Sequence, residues 1–148
     1  MGFVIKNGRL IRYSGNLKVV GLTIPKGVRY IEDGVFSPLK YLEKLVLPEG
    51  LWGIGTRSMC DCVSLREVVF PKSLQQIGRY AFEGCVNLEK VTFSGNVRLL
   101  DVGCFQNCYS LREVTFTKEC RLYLPIDREC FKGCLSLEDV HISAHDCS

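Results

Sequence analysis

What the sequence lacks narrows it first. No run of apolar residues approaches the roughly 20 needed to cross a bilayer as a helix. The opening MGFVIKNGRLIRYSG has neither the long apolar core nor the small-residue cleavage site of a secretory signal. There is no P-loop, no G-x-G-x-x-G after a strand, no G-x-S-x-G and no H-E-x-x-H. None of the usual scaffolds for phosphate, dinucleotide, acyl-transfer or zinc-hydrolase chemistry is therefore offered. The two histidines, His141 and His145, lie near Cys147, but nothing specifies a residue to orient them or a donor for an oxyanion. The expectation is a non-enzyme, with no catalytic residue, no cofactor and no small-molecule substrate. Residues 1–31 also lack any aspartate or glutamate. Lys6, Arg9, Arg12, Lys18, Lys26 and Arg29 stand there alone, and two readings follow. One is a basic end that binds nucleic acid or an anionic membrane surface; the other is a set of cations guarding an exposed end strand.

What is present fits one globular domain. The chain has 148 residues, 47% hydrophobic and 24% charged, with a net charge of +3. Laying it against itself reveals a period of 23 residues. Phe36, Met59, Phe82 and Phe105 keep that spacing, and Phe131 follows after 26. Leu39, Cys62, Cys85, Cys108 and Cys134 form a second column. Leu42, Leu65, Leu88, Leu111 and Leu137 form a third, and Leu45, Val68, Val91, Val114 and Val140 a fourth. Leu47, Phe70, Phe93, Phe116 and Ile142 close the unit, while Ile31, Ile54, Ile77, Leu100 and Ile126 precede it.

Within a unit, V-x-F alternates as a strand with one buried face does, and A-F-x-x-C suits one helical or 3-10 turn. A unit of this length cannot bury both faces alone, so the coils must stack, with strands about 4.8 Å apart. The predicted fold is of the α/β class: a right-handed solenoid with a parallel sheet on its concave face and short helical or 3-10 turns opposite. Asn7-Gly8 between two apolar runs predicts a β-hairpin, which would cap the open end. The boundaries are 1–18 for the cap, 19–142 for repeats of about 23 residues, and 143–148 for a tail, all one domain. A three-residue insertion falls within TKECRLYLPIDREC. The short SAHDCS tail leaves the last coil uncovered, and a homodimer through that coil is one arrangement that would cover it.

The unit IPxxVxxIGxxAFxGCxxLxxV, carried by LPEGLWGIGTRSMCDCVSLREVVF and FPKSLQQIGRYAFEGCVNLEKVTF, resembles the BspA-like leucine-rich repeat, also called the Treponema pallidum type. The resemblance spans roughly residues 19–142. Met59 stands where that pattern has phenylalanine, and Leu39 where it has cysteine. It implies a leucine-rich-repeat solenoid and a binding or adhesion role, since the family is found in many bacterial surface proteins. Read as a whole protein, the chain would be cytoplasmic; read as a fragment of a longer chain, it would be a piece of a cell-surface or secreted adhesin.

Nine cysteines invite chemistry, but the repeat reassigns most of them. A column that accepts leucine and cysteine alike is an apolar packing slot. Cys104 and Cys130 share a slot with Ala81, Ser58 and Val35. A zinc site needs four converging ligands, and no metal site is expected from these ladders or from the HISAHDC tail. Cys60, Cys120 and Cys147 lie outside the columns and are expected to be the exposed thiols.

The outward residues of L-x-x-V-x-F are more informative. One column reads Lys44, Glu67, Lys90, Glu113, Asp139, and its neighbour reads Glu43, Arg66, Glu89, Arg112, Glu138. Signs alternate along and across them, so the face neutralises itself and is poorly suited to phosphate. Val46, Val69, Thr92, Thr115 and His141 form a mildly apolar column beside it. Together, Lys44, Val46, Glu67, Val69, Lys90, Thr92, Glu113, Thr115, Asp139 and His141 are the predicted contact surface for a protein partner.

Overall fold

The structure, a computed structural model, describes residues 2–95, 97–117 and 128–142. The hairpin forms around Asn7-Gly8: β1 (Phe3–Lys6) and β2 (Arg9–Tyr13) run antiparallel. Asn7 and Gly8 have φ of 51° and 78°, the left-handed pair that a type I′ turn requires. The next coil makes two strands, β3 (Gly21–Thr23) and β4 (Tyr30–Ile31). Later coils repeat the pair as β5 (Lys44–Val46) with β6 (Gly53–Ile54), and β7 (Glu67–Val69) with β8 (Gln76–Ile77). β9 (Lys90–Phe93) and β10 (Leu99–Leu100) follow, then β11 (Glu113–Phe116) and β12 (Asp139–Ile142).

These strands stack into two sheets. Sheet A has the order β1-β2-β4-β6-β8-β10, and sheet B the order β12-β11-β9-β7-β5-β3. Sheet B is the parallel sheet that V-x-F predicts. Sheet A differs from expectation, because the predicted solenoid has one parallel sheet with only short helical or 3-10 turns opposite. Stacking brings successive corners to strand spacing, and their backbone groups satisfy one another there, as buried peptide groups must. Its coil strands are only two residues long because the chain turns straight after Ile31, Ile54, Ile77 and Leu100. Gly78 shows how close the corners come. A β-carbon there would lie 2.9 Å from the Gly55 carbonyl carbon and the Thr56 nitrogen.

The A-F-x-x-C segments form single turns with i→i−3 hydrogen bonds. Cys85 N–H donates to Phe82 C=O at 3.2 Å, and Cys108 N–H to Phe105 C=O at 3.3 Å. Among the described residues only Arg128–Phe131 extends such a turn into a 3-10 helix. Residues 118–127 of the insertion, and the tail from 143, lie outside the described residues.

The core lies between the sheets and follows the columns. Leu42, Leu65, Leu88 and Leu111 are fully buried, as are Ile31, Ile54 and Ile77. Two phenylalanine ladders run through it. Phe70, Phe93 and Phe116 stack with centroids 5.0 and 5.1 Å apart, and Phe82, Phe105 and Phe131 with 5.3 and 5.7 Å. The ladders meet edge-on, Phe70 against Phe82 at 5.7 Å. Such pairs contribute about 0.5–1.5 kcal/mol each beyond their burial. At the N-terminal end Phe3, Tyr13 and Phe36 continue the aromatic packing at 5.5 Å spacings, tying the hairpin to the first coil.

Candidate functional site

Because each V-x-F strand buries two residues and turns the next outward, sheet B presents its outward columns in register. Lys44 pairs with Glu67, Glu67 with Lys90, Lys90 with Glu113 and Glu113 with Asp139 along the ladder. Val46 and Val69 are neighbours, as are Thr92, Thr115 and His141. The ten predicted contact residues thus share one face by backbone position. The side chains of Asp139 and His141 lie outside what is described.

The alternating charges make real contacts. Lys44 Nζ lies 3.7 Å from Glu67, and Lys90 Nζ 3.6 Å from Glu113. In the neighbouring column Glu89 accepts Arg112 Nη2 at 3.1 Å and has Arg66 Nη1 at 4.0 Å. The Thr115 hydroxyl donates to Glu113 at 3.1 Å. These pairs are exposed, so each contributes at most about 1 kcal/mol.

One gap interrupts the lattice. β5 and β7 share three paired positions and β9 and β11 share four, but β7 and β9 share one, Glu67 with Lys90. A depression of about 490 Å³ lies there, lined by Arg66, Glu67, Val69, Lys90, Thr92 and Ser94, with Val68 and Phe70 at its base. Val69 is 45% exposed within it. No sequence signal marks this gap, because Glu67 and Lys90 read as one more opposite pair in the column.

Sequence reasoning also passed over the rim. The column one place after the cysteines reads Lys40, Val63, Val86, Tyr109, Leu135, and its last two members are well exposed, 46% at Tyr109 and 82% at Leu135. This apolar stripe was visible at the 23-residue period. Beside it, the Ser64 hydroxyl donates to Lys40 C=O at 2.6 Å and the Asn87 amide to Val63 C=O at 2.7 Å. A second depression of about 340 Å³ lies between this polar column and the Arg66–Glu89–Arg112 row.

The cysteines sit as packing residues, with one correction and one addition. Cys62, Cys85, Cys104, Cys108 and Cys130 are buried, and all seven described cysteines are free thiols. Cys62, Cys85, Cys108 and Cys134 each donate to the previous coil, to the carbonyls of Phe36, Met59, Phe82 and Phe105, at 3.0–3.4 Å. From their shared slot Cys130 reaches the previous coil at Leu100 C=O, 3.1 Å, and Asp101 C=O, 3.5 Å, while Ser58 lies between Gly55 C=O of its own coil at 2.8 Å and Glu32 C=O of the previous one at 3.0 Å. A small side chain with a weak donor fills the space and satisfies the carbonyl together. Cys60, expected to be exposed, is instead buried. Burial, then Asp61 and Glu83, push its thiol up to about 11, and its Sγ lies 3.6 Å from Glu83. Cys120 and Cys147 lie outside the described residues. The half-buried Cys134 has its thiol lowered by the neighbouring Cys108 thiol, while Cys108 is raised by Cys134 and then by burial.

Among the described residues no group of three or more histidine, cysteine or acidic side chains is placed to hold a metal ion, and the HISAHDC tail lies largely outside them. Nor is any described helix long and apolar enough to cross a membrane. Of the six cations in the first 31 residues, all exposed, Arg9 pairs with Glu32 and lies over the Tyr30 ring at 4.4 Å.

Solved structures share this architecture. A leucine rich cell surface protein from Faecalibacterium prausnitzii A2-165 superposes with a TM-score of 0.81 at 26% identity, over 92% of this chain and 35% of its own. The pneumococcal vaccine antigen PcpA gives 0.76 at 26% identity, over 95% and 34%. A leucine rich repeat protein from T. pallidum gives 0.66 at 25% identity, over 91% and 75%. The chain thus spans about a third of the length of the first two. No curated protein matches it. The model of the BspA type leucine rich repeat region matches residues 12–138 in six copies, the number of strands in sheet B. With its coils, columns and stacked turns all following that unit, the chain belongs to the BspA-type leucine-rich-repeat family.

Proposed function

We propose that this chain is a non-enzymatic binding module that receives a segment of a partner protein on the concave face of sheet B. The observation that carries this reading is the depression between β7 and β9, where the charge lattice opens around an exposed Val69. An apolar centre with a polar rim is the usual anatomy of a protein contact. Concave solenoid faces commonly serve that purpose. The paired charges around the depression leave no field for a polyanion, so they favour shape and register over bulk electrostatics. Lys44, Val46, Glu67, Val69, Lys90, Thr92, Glu113 and Thr115 are the contact residues, with Asp139 and His141 continuing their columns.

A test compares what the native chain and a Val69→Asp variant retain from a lysate of the source cells, scored by quantitative mass spectrometry. Val69 is exposed, so the variant should fold. The reading expects a discrete protein set lost from the variant and insensitive to moderate salt. Identical sets would overturn it.

A second reading concerns location. The likeness to a leucine rich cell surface protein favours display outside the cell as part of a longer chain. Protease shaving of intact source cells should then release peptides of this chain before any cytosolic marker.

A further inference from the structure

The two sheets end differently at the N-terminal side. Sheet A closes with the hairpin, and its edge strand β1 carries a register shift between Val4 and Ile5 together with the exposed Lys6. A bulge and a lysine are the usual guards of a sheet edge. Sheet B ends on β3, which reads Gly21, Leu22, Thr23 and has neither.

The hydrogen bonds show which groups this leaves open. Lys44 N–H donates to Val20 C=O at 3.2 Å, and Ile24 N–H to Val46 C=O at 2.9 Å. In a parallel ladder, backbone groups of alternate residues point to the same neighbour. Val20, Leu22 and Ile24 therefore face β5, and the N–H and C=O of Gly21 and Thr23 face away from it. Pro25 has no N–H to extend the row. Among the described residues, two donors and two acceptors remain on a free edge.

The side chains around this edge break the pattern of the later coils. Val20 and Gly21 occupy the columns that carry Glu43 and Lys44 one strand in, so the charge lattice stops before β3. Leu17 is 67% and Val20 53% exposed. Lys18 and Lys26 flank the strand, both exposed, and neither enters an ion pair among the described residues.

We propose that the open edge of β3 accepts an extended, acidic segment of a partner protein as an added strand of sheet B. Backbone pairing at Gly21 and Thr23 would supply the register. Leu17 and Val20 would supply apolar contact, and Lys18 and Lys26 the charge preference. A second copy of this chain fits less well. A symmetric antiparallel pair centred on Leu22 would set Lys18 of one copy opposite Lys26 of the other, and like charges placed so repel. This surface is separate from the concave face, so either assignment stands without the other.

The probe is a fluorescent, acetylated octapeptide alternating glutamate with valine and threonine, titrated against the whole chain by anisotropy. Binding should be accompanied by slowed hydrogen exchange at the Gly21 and Thr23 amides. The same peptide N-methylated at every residue keeps its charge but offers no N–H from either edge and cannot pair as a strand, and it should bind at least about tenfold more weakly. Lys18→Glu with Lys26→Glu should cost about tenfold as well. Thr23→Pro removes an N–H that β5 does not use and should abolish the protection. Charge reversal at Lys90 and Glu113 should leave the peptide affinity unchanged, which separates this edge from the concave face. Equal binding of the N-methylated peptide would overturn the proposal, as would unprotected Gly21 and Thr23 amides in the bound state. So would failure of the acidic peptide in a chain that self-associates through β3.

Discussion

Sheets A and B come from the same coils and have six strands each, yet they use their outward positions in opposite ways. On sheet A the outward column runs Arg9, Tyr30, Gly53, Gln76, Leu99, and it covers itself. Arg9 lies over Tyr30, Tyr30 packs on Trp52 at 4.9 Å, and the Tyr30 ring fills the space that a side chain at Gly53 would need. On sheet B the same stacking produces alternating charges, the depression beside Val69 and an unguarded end. The core columns are constrained equally on both sides, because each buried residue must match the coils above and below. Only the outward columns are released to vary: on sheet A the varied residues pack on one another, and on sheet B they alternate in charge.

If the two sheets share one core, the largest effect should come from the residue between them. Phe82→Ala should cost about 3–5 kcal/mol, read as a lower urea midpoint in one cooperative transition. Two separate transitions would instead mean that the sheets fold as independent halves.

Alkaline pH should weaken that common core next. Cys60, Cys62, Cys85, Cys104 and Cys108 are all raised in the folded chain, Cys60 and Cys62 to about 11, against an ordinary value of 9.0. Burial leads for each of these except Cys108, where the Cys134 thiol does. The unfolded chain therefore releases these protons first. Their contribution is fully present below about pH 9 and is lost as pH rises towards 11. Urea midpoints under reductant should fall between pH 9 and 11. A Cys62→Leu variant should fall less, because Leu39 fills the same column in the coil before.

At the corner of sheet A, Gly78→Ala should cost about 1–3 kcal/mol, since its new carbon meets backbone that cannot swing aside. An unchanged melting temperature would show that the coils can spread there.

The smallest effect belongs to the face of sheet B. Lys90→Glu or Glu113→Lys alone should cost about 0.2–1 kcal/mol, and the double swap should recover most of it. A swap that fails to recover would mean that the lattice acts through more than this pair.

The core was legible because each of its columns repeats at 23 residues and solvent exclusion treats every copy alike. The Phe and Leu ladders, the strand of V-x-F, the hairpin at Asn7-Gly8 and the cysteine slots all follow from that period and from side-chain size. The opposite charges of Lys90 and Glu113 were equally readable as neighbours on one face. Other features have no period. Cys60 looked exposed because it lies off the columns, but it is buried with its thiol against Glu83 of the next coil. Sheet A arose from backbone pairing between corners, which leaves no mark on side-chain pattern. The thinning between β7 and β9 and the open edge of β3 depend on how adjacent coils stack and twist. The sequence by itself determined which residues stack on which. Only the tertiary structure decided where that stacking stops, because a ladder's gaps and ends come from hydrogen bonds between coils, and no single coil encodes them.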